Sequence, residues 1–148
     1  VTGEPRACAG NLLMAQAPDR VLDLEAAPNA VAAFDCGSGC FVHTNHFTDP
    51  DGLGIVEPPS ERRPHSYNRR RRMAELLSSG PKVAAKDIQR WVTDHEDHPF
   101  GVCRHEDWSE PPSEHYVTVT SVLMDLHDQT MCLTDGQPCR AEWQTCSL

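Results

Sequence analysis

The chain has 148 residues, 39% of them hydrophobic, and a net charge of −9 from 13 Lys and Arg against 22 Asp and Glu. That length suits one domain, and that apolar content excludes a wholly disordered chain. No apolar run approaches the roughly 20 residues of a membrane-spanning helix. Neither a membrane nor a nucleic acid is expected as a partner, since phosphates attract clustered positive charge and this chain is acidic.

The first region, residues 9–46, reads as short strands. Residues 11–17 are largely apolar, and Ala17-Pro18-Asp19-Arg20 is a turn signal. Val21, Asp23 and Glu25 then alternate with Leu22 and Leu24. Ala26-Ala27-Pro28-Asn29 breaks the pattern, residues 30–34 form a third candidate, and a Gly-rich turn leads to a fourth over 40–46. Closely spaced strands of this kind predict an antiparallel meander. Residues 47–65 hold Pro50, Pro58, Pro59 and Pro64 with Gly52 and Gly54, and predict a surface loop.

The period then changes to helical, over 66–94. Ser66 is placed to cap a helix over 66–77. Gly80 ends it, and Pro81 opens a second over 81–94, with Ala84, Ile88, Trp91 and Val92 on one face. A tight joint between them predicts an antiparallel pair. Residues 95–115 read as irregular. Strands return over 116–147, at 116–126, 131–134 and 140–146, with Gly136-Gln137-Pro138 as a turn. The fold class is therefore α+β, antiparallel strands flanking a helix pair.

Several constellations suggest chemistry. The Arg69-Arg70-Arg71-Arg72 run sits near a helix N-terminus, the wrong end of the macrodipole for cations, so partner carboxylates are expected. Cys36, Cys40, His43 and His46 form an inventory of zinc ligands, but their spacing matches no finger, and on a strand they face both sides. His95, His98 and His105 lie among acids without a recognised ligand spacing. No resident metal is expected. The seven cysteines read as reduced, partly buried thiols of a cytoplasmic protein. Asn45, at the end of an apolar strand, offers amide donors suited to a developing oxyanion, though its chemistry alone favours bonding a local turn.

In order, Val42-His43-Thr44-Asn45-His46, then Ser66-x-Asn68-Arg69-x-x-Arg72-Met73, then Asp97-His98-Pro99-Phe100-Gly101-Val102-Cys103-Arg104, residues 118–125 and Gly136-x-Pro138-Cys139 make a series. The series resembles the C-terminal part of the isopenicillin-N (acyl-coenzyme A:6-aminopenicillanic acid) acyltransferase-like family. Its members are autoproteolytic N-terminal-nucleophile hydrolases with an αββα sandwich.

The resemblance implies an acyltransferase or amidohydrolase acting on carbon–nitrogen amide bonds through an acyl-enzyme. The family's nucleophilic Cys lies upstream of the matched part, so residues 1–148 are expected to be the C-terminal part of one domain and inactive alone. The implied partners are that N-terminal part and a small amide or acyl substrate, with acyl-coenzyme A as a donor substrate and no cofactor. By position, Asn45 takes the family's oxyanion role, and His46, Glu114 and His115 fall where substrate is bound. Ala26-Ala27 and Glu114-His115 replace a Ser and a Ser-Arg pair of the penicillin enzyme, which points to a different substrate. Cys103 reads as a buried thiol. An apolar sheet face left for the absent part implies self-association. The competing readings are a non-catalytic binding module of the same fold and a metal-binding protein using the Cys36–His46 set.

Overall fold

Alternation in the first region does produce a meander. The computed structural model describes residues 6–37, 39–62, 64–78, 80 and 82–147. Strands β1 (Gly10–Gln16), β2 (Arg20–Ala26) and β3 (Val31–Asp35) form an antiparallel sheet in the order β1-β2-β3. Leu24 of β2 faces Leu12 on one side and Ala33 on the other. The period of two on β2 is as expected, but its polarity is inverted. Asp23 and Glu25 are fully buried, while Leu22 and Leu24 are half-buried.

The expected fourth strand over 40–46 does not form. Its neighbourhood spends backbone donors on side chains instead of a ladder. Asn45 N–H goes to Ser66 Oγ, and Thr48 and Asp49 N–H go to the Glu25 carboxylate. The loop over 47–65 is irregular, as expected. It folds on itself where Leu53 and Ile55 N–H bond to Pro50 O, with Gly54 at φ +65°. A short 3₁₀ turn (Ser60–Arg62) precedes α1 (Pro64–Leu77). That helix opens on Pro64, whose missing N–H costs nothing in the first turn. Ser66 therefore lies inside the helix rather than capping it, and its hydroxyl is free for other work.

The chain divides into two compact units, Val1–Tyr67 and Asn68–Leu148. In the second, Arg71 and Arg72 meet carboxylates, but because α1 begins at Pro64 they lie beyond its first turn, so the helix dipole is not what calls for them. Arg72 Nε and Nη2 donate to Asp94 Oδ1 and Oδ2 at 3.0 and 2.6 Å, and Arg72 Nη1 lies 2.9 Å from Glu96 Oε2. Arg71 donates to Glu75 and Glu96. The Arg72 guanidinium holds Asp94 below the usual carboxylate range.

Helix α2 (Ala85–Trp91) is shorter than the expected 81–94. Ala84 is extended, and its N–H donates to Asp87 Oδ2 at 3.1 Å, which fixes the start. Pro81 lies outside the described residues. Helix α2 buries Trp91 and packs on β4 (Val122–Asp125). The second sheet is β4-β5-β6, with β5 (Thr130–Thr134) central and β6 (Trp143–Ser147) at the edge, all antiparallel.

The long strand expected over 116–126 pairs only in its last part. Upstream of β4, Thr118 exchanges bonds with the Arg104 backbone, and Ser121 N–H goes to the buried Thr134 hydroxyl. The turn at Gly136 is confirmed by φ +112°. The architecture is thus α+β, with two antiparallel three-stranded sheets and two α-helices among the described residues. No helix among them is long and apolar enough to cross a membrane.

Strand β1 is exposed along its whole length, with Leu12, Leu13 and Met14 at 45–56% exposure. An apolar edge strand recruits other chains. The chain is expected to self-associate at micromolar concentration, and Leu13→Lys to shift it toward monomer in light scattering. A wild-type chain that stays monomeric overturns this expectation.

Candidate functional site

The segment after the first sheet is held by side chains. Ser66 Oγ, 4% exposed as a residue, accepts Asn45 N–H at 2.9 Å and lies 2.8 Å from His46 Nδ1. Thr44 Oγ1 donates to Ser66 O at 3.0 Å. The His46 ring stacks on Tyr67 with centroids 3.9 Å apart. Residues on both sides of Asn45 are therefore fixed, while Asn45 itself is exposed.

Beneath this lies a buried ionic core. Glu25 accepts from His43 Nε2 at 2.6 Å, from Asp49 N–H at 3.1 Å and from Thr48 N–H. Burial pushes the Glu25 carboxyl up, but the bonds from His43, Thr48 and Asp49 together outweigh it and hold it below the usual carboxylate value. Asp23 Oδ1 accepts Asn11 Nδ2 at 2.6 Å, while its Oδ2 is buried without a hydrogen-bond partner.

Of the sequence-derived site residues, Asn45 and His46 belong to the first unit and Glu114 and His115 to the second. Asn45 is presented at the surface. His46, expected to bind substrate, is 4% exposed and its ring is taken up by Ser66 and Tyr67, so it holds residues 44–46 in place. Glu114 closes an exposed 3₁₀ turn (Pro112–Glu114) in the second unit. His115 Nε2 bonds to Glu110 O at 3.0 Å, with its ring edge-on to Trp108. Cys36, Cys40, His43 and His46 do not gather. His43 belongs to Glu25, His46 to Ser66, and the Cys36 thiol faces Phe34 O.

A second cluster lies wholly in the second unit. His95, Cys103, His105 and Cys139 bring their ligand atoms within 4.8 Å of one another. Cys103 is fully buried, and burial with the neighbouring Cys139 thiol pushes it up to about 11, which suits a buried thiol rather than a nucleophile. The histidines of this cluster were visible in the sequence, but among acids. The signal available was Cys103-x-His105, two residues that an extended segment sends to one side. Nothing in the spacing announces Cys139, which arrives 34 residues after His105 from another turn.

No protein-family model matches the chain, and no curated protein matches it.

Proposed function

We propose that this chain is the C-terminal part of a cysteine N-terminal-nucleophile acyltransferase or amidohydrolase, with Asn45 as an oxyanion donor. The finer fold that accompanies this reading is the αββα sandwich of the resembled family. The observation that carries it is Asn45, exposed within Thr44-Asn45-His46 while Ser66 clamps the backbone around it.

In this reading the thiolate of an upstream N-terminal Cys attacks the amide carbonyl. Its own α-amino group, with a reference pKa of about 7.7–8.0, takes the thiol proton and returns it to the leaving amine. Asn45 Nδ2 donates to the oxygen as it gains charge, and the acyl group passes to water or to an acceptor amine. Acyl-coenzyme A serves as an acyl donor substrate, and the chemistry needs no cofactor.

The test is mass spectrometry of the longer polypeptide encoded upstream of Val1, incubated with a panel of acyl-coenzyme A thioesters and simple amides. An acyl adduct on an upstream N-terminal Cys is expected, with none on the seven cysteines of this chain. Turnover by residues 1–148 alone that survives replacement of all seven cysteines overturns the reading.

A further inference from the structure

We propose that His95 Nε2, Cys103 Sγ, His105 Nε2 and Cys139 Sγ form a closed tetrahedral site for a zinc ion, with a structural role in the second unit. The first support is metric. With Zn–S near 2.3 Å and Zn–N near 2.0–2.1 Å, a regular tetrahedron has edges of about 3.8 Å between sulfurs, about 3.5 Å between sulfur and nitrogen, and about 3.3 Å between nitrogens. The distances here are 3.6 Å for Cys103 Sγ to Cys139 Sγ, 3.6 and 3.5 Å for the two sulfurs to His105 Nε2, and 3.0 Å between the imidazole nitrogens. Four of the six edges thus match a coordination shell, and the two from His95 Nε2 to the sulfurs lie within 4.8 Å. A disulfide between the same cysteines needs sulfurs at about 2.05 Å.

The second support is the backbone that sets these corners. Cys103 N–H bonds to Asp94 O, and His105 N–H bonds to Pro99 O, so residues 94–105 close into a knuckle. Gly101 is required there, since a Cβ would sit 2.6 Å from Glu96 O. Gln137 Nε2 donates to Arg104 O at 3.3 Å, which ties the turn bearing Cys139 to the knuckle. Three of the donors thus come from one tight loop and the fourth from a turn bonded to it. Cys103 and His105 are 0% and 5% exposed. The ligand atoms lie within hydrogen-bond distance of one another, and Cys103 Sγ also accepts the Cys139 backbone N–H, as a zinc-bound thiolate does.

The donor set suits zinc. Two thiolates and two imidazoles are its usual structural complement, and four protein ligands leave no open position for a reacting water. On binding, two S–H bonds break, two Zn–S bonds form, and both protons pass to solvent. The imidazoles bind neutral, no electrons are transferred, and the dication is balanced by two thiolates at a place where Cys103 and His105 are buried and His95 is exposed. His98, whose ring lies 5.1 Å from that of His105, stands outside the shell.

The test uses the full 148-residue chain, stripped with a chelator and titrated first with zinc and then with cobalt(II). One equivalent of zinc per chain is expected, with a raised melting midpoint. Cobalt(II) is expected to give the intense d–d bands of a tetrahedral site and thiolate charge transfer. Cys103→Ser and Cys139→Ser should each lose charge-transfer intensity, and His95→Ala should weaken zinc binding at least about 100-fold, while His98→Ala and Cys146→Ser bind as the wild type does. Should a cysteine variant fail to fold, the cobalt spectrum of the wild type decides between a thiolate site and none. Absence of binding by the folded reduced chain, binding unchanged in the Cys103→Ser/Cys139→Ser double variant, or a Cys103–Cys139 disulfide in freshly purified protein overturns the proposal.

Discussion

Replacing Glu25 with alanine is expected to destabilise the first unit by about 3–5 kcal/mol, the usual cost of removing one member of a buried charged cluster. The residue is fully buried, and its carboxylate is the acceptor for His43 Nε2 and for the N–H groups of Thr48 and Asp49. Truncation leaves those donors unsatisfied in a dry place. Against a typical stability of about 5–15 kcal/mol, the loss is large enough to unfold much of the population on mild heating. Glu25→Gln keeps an acceptor and should fall between the two.

The same cluster sets an acid dependence. Glu25 titrates lower in the folded chain than its unfolded value of about 4.3, so its stabilising share is complete above that value and is lost as pH falls through the lower folded value. Asp94, held down by Arg72, acts in the same direction. Denaturant midpoints measured from pH 7 to pH 3 should fall below about pH 4.5, and Glu25→Gln should flatten that fall without abolishing it. An acid limb unchanged in Glu25→Gln, together with a small effect of Glu25→Ala at neutral pH, sinks this account.

The first sheet shows what was legible in the sequence and what was not. Alternation over residues 20–26 located β2, because side-chain parity is a local property of an extended chain. Parity does not say which face is inward. The usual assumption puts Leu22 and Leu24 inside, yet the structure buries Asp23 and Glu25, because donors from Asn11, His43, Thr48 and Asp49 converge on that face. Three of those donors follow β3 in sequence, in the stretch from His43 to Asp49 where a fourth strand was expected or a loop begins. One cause therefore accounts for both departures, and it is a tertiary one.

The second unit repeats the pattern. Carboxylate partners were expected for the arginine run from its placement at a helix N-terminus; Arg72 does pair with Asp94 and Glu96, but in mid-helix, because α1 starts earlier, at Pro64. The meeting of Cys139 with a knuckle that ends at His105 depends on the turn at Gly136 and on a glutamine bond to Arg104 O, neither of which leaves a spacing rule in the chain.

In the assembled enzyme that we propose, Asn45→Ala should lower kcat by about 10²–10³ while KM changes only a few fold. The reason is differential. An oxyanion donor bonds more strongly to the charged intermediate than to the substrate carbonyl, so its removal is felt in the transition state. Asn45→Asp should do at least as much harm at neutral pH, since a carboxylate brings an acceptor and a negative charge to a place built for a donor. Ser66 and His46 are positioning residues in this scheme. Ser66→Ala removes the acceptor for Asn45 N–H and should destabilise the chain by about 1–3 kcal/mol, with a smaller loss of kcat than Asn45→Ala. A merely structural Asn45 predicts the opposite ranking, with Ser66→Ala costing more activity than Asn45→Ala, and it predicts that Asn45→Asp is tolerated. Steady-state kinetics and a denaturation curve on these three variants separate the two roles, because the oxyanion reading requires kcat and stability to fall independently and the structural one requires them to fall together.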